Sequence, residues 1–200
     1  MYLILITMDP KDMTEPKNKA RVLITKECNR SCSGCCNNFD SIMRYAQYID
    51  TLSDLPQELS EVMISGGEPM LFTERTLRLT EELKERYPFS KLYLYSSYYN
   101  NTLEDIIPLL DGFQYTIHEG ATEEDLLLLD NLQELLDRHK EEWTDKSFRL
   151  YIDDKVDIPM RILPNVWNKA KVSTWLTEEE LLNIQPNGLP EGEALYVYTI

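Results

Sequence analysis

Apolar residues along this chain follow two rhythms in alternation. Compact runs rich in β-branched and aromatic residues, at 20–26, 61–65, 91–97, 113–118 and 148–152, read as buried strands. Between them, apolar positions return every three or four residues. Phe39, Ile42, Met43, Ala46 and Ile49 predict a helix over about 39–52, and Leu77, Leu79 and Leu83 predict one from Thr73, a candidate N-cap, to a stop at Pro88. Residues 103–110 make a short helix broken by Pro108. Leu128, Leu129, Leu132, Leu135, Leu136 and Trp143 mark the longest helix, entered through Thr122 and the acidic turn Glu123, Glu124, Asp125, which suits the positive end of a helix dipole.

Strand and helix in alternation, with short connections, are the pattern of a parallel sheet. A closed eight-unit barrel takes about 250 residues, and this chain has 200. The expected fold is therefore α/β, a partial, open parallel β/α barrel of about six strands. One domain is expected over residues 1–200, with a core at about 20–153. Residues 154–200 then form a less regular extension that completes the sheet, with strands at 171–175 and 195–200 and a short helix opened by a capping box at Thr177. The apolar start at 1–8 lacks a basic flank and stops at Asp9-Pro10, so it reads as an edge strand rather than a signal peptide or a membrane span.

Cys28, Cys32, Cys35 and Cys36 are the chain's four cysteines, and all fall within nine residues directly after the first strand. Four thiols so close call for a metal. The spacing C-x3-C-x2-C lets one loop wrap three thiolates around three corners of a cubane iron–sulfur cluster. Cys36 is read as a bystander, because adjacent residues rarely turn both sulfurs into one site. One iron then has no protein thiolate, and an open coordination position means chemistry rather than electron storage. Two rival readings stand beside this one. A structural zinc site could take all four thiolates, although zinc ligands usually come in two separated pairs. A ferredoxin-like carrier needs a fourth thiolate.

About thirty residues on, the second strand opens into Gly66-Gly67-Glu68-Pro69. The cysteine loop and this motif, in this order and at this distance, resemble the radical S-adenosylmethionine (radical SAM) superfamily over roughly residues 20–120. The resemblance implies a [4Fe-4S] cluster on Cys28, Cys32 and Cys35, with the methionyl group of SAM chelating the fourth iron. It also implies reductive cleavage of SAM to a 5'-deoxyadenosyl radical that abstracts a hydrogen atom, with an electron donor such as flavodoxin or ferredoxin. Gly66 and Gly67 would let backbone groups approach the ligand, and Glu68 would accept a hydrogen bond from its ammonium. Ser96, Ser97, Thr116 and His118, at strand ends, are further candidates for SAM. Tyr151 and Asp153 are candidates to face substrate, with simple solvation of Asp153 as the plainer reading.

The motif also departs from the superfamily. Where an aromatic residue often precedes the third cysteine and packs on adenine, this chain has Gly34. The form Cys32-Ser33-Gly34-Cys35-Cys36-Asn37 is similar to that of the activating enzymes for anaerobic ribonucleotide reductase, whose substrate is a glycine in a partner protein. Modification of a small molecule or peptide is the alternative, and a member that keeps the cluster only to bind is a third.

Net charge is -15, unevenly spread: residues 1–50 carry 7 Lys and Arg against 6 Asp and Glu, and residues 51–200 carry 13 against 29. Such a field disfavours a nucleic-acid substrate unless the fold gathers a local basic patch. Clustered, unpaired cysteines point to a reducing, cytoplasmic setting without a membrane partner.

Overall fold

The computed structural model of the chain describes residues 18–184 and 188–199. The apolar start at 1–8 and residue 200 lie outside them. Eight parallel strands form one open sheet: β1 (Lys19–Leu23), β2 (Gln47–Ile49), β3 (Glu61–Ser65), β4 (Lys91–Ser96), β5 (Gly112–Ile117), β6 (Ser147–Asp153), β7 (Lys169–Ser173) and β8 (Glu193–Tyr198). Their order across the sheet is β2-β8-β1-β3-β4-β5-β6-β7. The open parallel architecture expected from the alternation is present, with two strands more than the expected count of about six. One of the additions is β2, in a segment that helical spacing assigns to a helix.

That segment is the main correction to the local reading. The helix after the cysteine loop, α1 (Asp40–Met43), has four residues rather than the expected span of 39–52. Ile42 packs in a small cluster with Leu23, Phe39, Leu189, Leu195 and Val197, whereas Ile49 belongs to the main core. A continuous helix would hold both on one stripe. The chain instead extends, so that β2 pairs with β8, Ile49 opposite Tyr198. Periodicity cannot tell one apolar surface from two.

The remaining elements follow their sequence signals closely. α2 (Thr73–Arg86) buries Leu79 and Leu83, with Phe72 rather than Thr73 at its N-cap. α3 (Leu103–Ile106) tightens into a 3-10 turn at Pro108, whose missing N–H cannot continue the helix. α4 (Glu123–Arg138) starts with the expected cap: the Thr122 N–H donates to Asp125 Oδ2 at 2.8 Å. It ends before Trp143, which enters the core from the following turn. α5 (Glu178–Ile184) opens with reciprocal bonds between Thr177 and Glu180.

Strand side chains alternate between two surfaces. Ala20, Val22, Val62, Ile64, Leu92, Leu94, Phe113, Tyr115, Phe148 and Leu150 face the helices and form the main core together with Leu79, Leu83, Leu129, Leu132 and Leu136. The other face carries Arg21, Tyr93, Tyr95, Gln114, Arg149 and Tyr151, which are only part-buried. From β4 to β7 this concave side of the open sheet is therefore polar, whereas Leu23, Leu195 and Val197 on the same side pack in the small cluster with Ile42. No helix among the described residues is long and apolar enough to cross a membrane.

Candidate active site

The cysteine loop leaves the carboxyl end of β1, and the Gly66-Gly67-Glu68 turn leaves the carboxyl end of β3 beside it. Their contact is backbone on backbone. Gly67 N–H donates to the Thr25 carbonyl at 2.7 Å and Glu68 N–H to the Glu27 carbonyl at 2.8 Å. Gly66 has φ +144°, and a Cβ there would meet the Thr25 carbonyl oxygen at 2.6 Å. The two glycines thus serve the docking of one loop against the other. Asn37 adds a bond from its side-chain amide to the Gly66 carbonyl.

Two further tethers hold the loop from the opposite side. Arg30 forms an ion pair with Asp125, the residue that also caps α4. Glu119, just beyond β5, accepts the Ser33 N–H at 2.9 Å and the Lys155 ammonium at 2.8 Å, and these bonds hold its carboxyl well down, at about 2. The ends of β1, β3, β5 and β6 therefore converge on the cysteine loop, as expected where strand carboxyl ends carry the chemistry.

Glu68 is fully buried, and its carboxylate accepts four bonds: Met70 N–H and Ser96 Oγ–H on one oxygen, at 2.9 and 2.6 Å, and Ser97 N–H and Ser97 Oγ–H on the other, at 2.7 and 2.8 Å. Burial pushes its pKa up against these donors. Ser96 and Ser97, expected as separate strand-end contacts, are Glu68's partners. The three form one network that locks the turn after β3 to the end of β4.

Cys28, Cys32 and Cys35 line one cavity of about 380 Å³ together with Gly66, Gly67 and Glu68. Ser96, Ser97, Thr116, His118 and Tyr151 line it as well, so the strand-end candidates meet the cysteines in one place. Asp153 does not line it. It is buried and its carboxylate accepts the Lys155 N–H at 3.0 Å, which makes it the brace of a turn rather than the solvated strand end expected from sequence. All four cysteines are free thiols. Burial, then the neighbouring Cys35, pushes Cys32 up to about 11, and burial raises Cys35. Among the described residues no three His, Cys, Asp or Glu side chains converge as on a single metal ion. All four thiols of the loop line the cavity, and the three spaced C-x3-C-x2-C fit a cluster whose irons each take a separate thiolate.

Cys36 begins a 3-10 turn (Cys36–Asn38) and packs beside the Ile42 cluster. It lines the cavity of the other three cysteines and also a second one of about 580 Å³, mostly apolar, bounded by Ile42, Leu181, Leu189 and Leu195. Arg21 and Trp175 stand between the two cavities and line both. Trp175 fills the space that Gly34 leaves: a Cβ on Gly34 would meet the Trp175 Cβ at 2.9 Å. Its indole stacks on His118 with ring centroids 5.5 Å apart. Burial, then the charge of Arg30, lowers His118 to about 4, so its imidazole is neutral. From sequence alone Trp175 reads only as the end of a strand. Its role depends on the return of the chain after β7, which no local pattern records.

Comparison with known proteins bears on this site. A family described as a 4Fe-4S single cluster domain matches residues 19–146, a span that holds both loops. No curated protein matches the chain. Among solved structures, the crystal structure of BtrN in complex with AdoMet and 2-DOIA is similar at 17% identity with a TM-score of 0.44. The likeness covers 66% of this chain and 56% of that one, so the chain spans little more than half of that length.

Proposed function

The chain belongs to the 4Fe-4S single cluster domain family, of the radical SAM type, and from that premise we propose that it is an enzyme of SAM-dependent radical chemistry. The observation that carries this reading is the meeting of Cys28, Cys32 and Cys35 with the Gly66-Gly67-Glu68 turn at the mouth of one cavity. A [4Fe-4S] cluster with SAM would supply one electron for sulfonium cleavage and so a 5'-deoxyadenosyl radical able to abstract hydrogen. The residues of this chain hold and shield that chemistry. Cys28, Cys32 and Cys35 would hold the cluster. Gly66 and Gly67 bring the turn against the cysteine loop, and Glu68 with Ser96 and Ser97 fixes a wall that would hold SAM. His118 and Thr116 line the far wall, and Trp175 covers His118 from the side of β7.

The substrate is proposed to be a residue in a partner protein, with glycyl radical formation as the first reading, and an electron donor of the flavodoxin or ferredoxin kind supplies the reductant. The polar concave face, open at the β7 edge, supports a partner over an enclosed metabolite. The test is anaerobic reconstitution with iron and sulfide, reduction with dithionite, addition of SAM and chromatography. 5'-Deoxyadenosine formed by cluster-loaded protein alone supports the reading. A loaded cluster that neither binds nor cleaves SAM overturns it. A candidate partner then separates the finer readings: a protein-centred radical for an activase, a changed substrate mass for a modifying enzyme.

A further inference from the structure

The concave face of the sheet inverts the charge of the molecule. In a chain with net charge -15, the strand positions that look away from the helices gather Arg21, Arg149, Lys169 and Lys171. The pairing registers put them along one path. Tyr95 lies opposite Gln114, Gln114 opposite Arg149, and Arg149 opposite Lys169. Arg21 joins the path from β1, its guanidinium 5.3 Å from the Tyr95 ring centre.

Each of these cations is held by a tyrosine. Arg149 lies over Tyr93 at 5.4 Å, and Lys169 and Lys171 lie over Tyr151 at 5.6 and 5.2 Å. Among the described residues no carboxylate lies within ion-pair distance of Arg149, Lys169 or Lys171, whereas cations of the helical layer, such as Lys84 and Lys140, have acidic partners. Arg21 commits Nε to Glu193 at 2.5 Å. Its terminal nitrogens have no hydrogen-bond partner among the described residues, and it lines the cavity that holds the cysteines. A guanidinium fixed through Nε and a ring face is a prepared receptor for a carboxylate.

We propose that this face, from the open edge at Lys169 and Lys171 past Arg149 to Arg21, is the docking channel for an acidic, extended peptide segment that presents its reacting residue to the cysteine site. The inference rests on the radical SAM reading for its chemistry and names the substrate class for it. Length favours a peptide over a small acid. Five strand-to-strand steps make about 24 Å, the reach of about seven extended residues, whereas a small dicarboxylate reaches only neighbouring cations, such as Lys169 and Lys171 over the one Tyr151 ring. A nucleic acid fits less well, because the tyrosine faces that bases would stack on already carry cations, and a longer polyanion would run onto the acidic outer surface.

The test is fluorescence anisotropy of a fluorescein-labelled hexaglutamate peptide on the anaerobically reconstituted full chain, with a hexalysine peptide of the same label as control. The expected result is saturable binding of hexaglutamate alone, weakened by added salt. The double variant Lys169→Glu/Lys171→Glu changes two exposed side chains of the edge strand, so folding is spared, and circular dichroism verifies this. It should weaken hexaglutamate at least tenfold, while Lys140→Glu on the helical layer changes it less than twofold. Equal weakening by Lys140→Glu overturns the channel, and so does tighter binding of a single-stranded hexanucleotide or displacement of the probe by equimolar succinate. Cleavage of SAM by a protein that fails to bind hexaglutamate overturns the channel and leaves the radical reading standing. Binding without SAM cleavage does the reverse.

Discussion

A Cβ placed on Gly67 would stand 1.9 Å from the carbonyl oxygen of Glu27. No rotamer relieves that contact, because the atom met is backbone. Gly67→Ala must therefore push the two loops apart and break the bonds from Gly67 to Thr25 and from Glu68 to Glu27. Overpacking of this kind, with two backbone bonds lost, costs about 2–4 kcal/mol. Gly120 is the control. It has φ +74°, but a Cβ there would meet nothing within 4 Å, so Gly120→Ala should cost only ~1 kcal/mol for its left-handed backbone. Urea unfolding of the two variants checks this, and equal midpoints would remove the loop contact as the reason for the glycine pair.

Glu68 offers a second contrast. From sequence alone its loss should weaken SAM binding and little else. With all four bonds of its carboxylate made inside the protein, Glu68→Ala strands the buried N–H groups of Met70 and Ser97. The expected cost is about 3–5 kcal/mol in the apo protein, before any ligand is added. Glu68→Gln should cost less, about 2 kcal/mol, because one oxygen still accepts while the amide NH2 faces donors. Apo stability unchanged in Glu68→Ala would return the residue to a purely ligand-binding role.

The adjacent thiols should separate cleanly. Cys35 and Cys36 both line the cavity with Cys28 and Cys32, but Cys36 also packs against the Ile42 cluster and lines the apolar cavity. Cys35→Ala should abolish cluster assembly, read as iron content and visible absorbance after reconstitution. Cys36→Ala should keep most of the iron. Equal loss in both variants would make Cys36 a ligand.

What the sequence can and cannot disclose follows from the range of each interaction. Strands β3, β4, β5 and β6 are legible to within a residue or two because a buried strand needs a contiguous apolar run. The cysteine loop and the glycine turn are legible because their function constrains neighbours in sequence. β2 is not, since Ile42 and Ile49 serve two different apolar surfaces at one helical spacing. Trp175 and the Arg21–Glu193 pair are not either. Each joins residues brought together only by the return of the chain through β7 and β8, Arg21 and Glu193 standing 172 positions apart. The Glu68 network lies between these cases: sequence marks Glu68, Ser96 and Ser97 one by one, but as ligand contacts rather than as partners of one another.

His118 makes stability depend on pH with a definite sign. Its ordinary value is 6.5, and burial with the nearby Arg30 charge lowers it to about 4 in the folded state. Between those values the unfolded chain binds a proton that the folded chain does not, so stability falls as the pH drops from 6.5 toward 4 and levels off below. At pH 5 the loss relative to pH 7.5 is about 2 kcal/mol. His139 works in the opposite direction, since Glu142 and Glu104 raise its value, so the wild-type curve alone does not isolate His118. The difference from a variant does. His118→Phe keeps an aromatic ring against Trp175 and removes the titration. Unfolding free energies of both proteins from pH 5 to 7.5 should draw apart by about 2 kcal/mol in favour of the variant as the pH falls. Parallel curves would mean that His118 takes up its proton in the folded protein as readily as in the unfolded chain, and that the wall of the cavity beside the cysteine loop turns positive in mild acid.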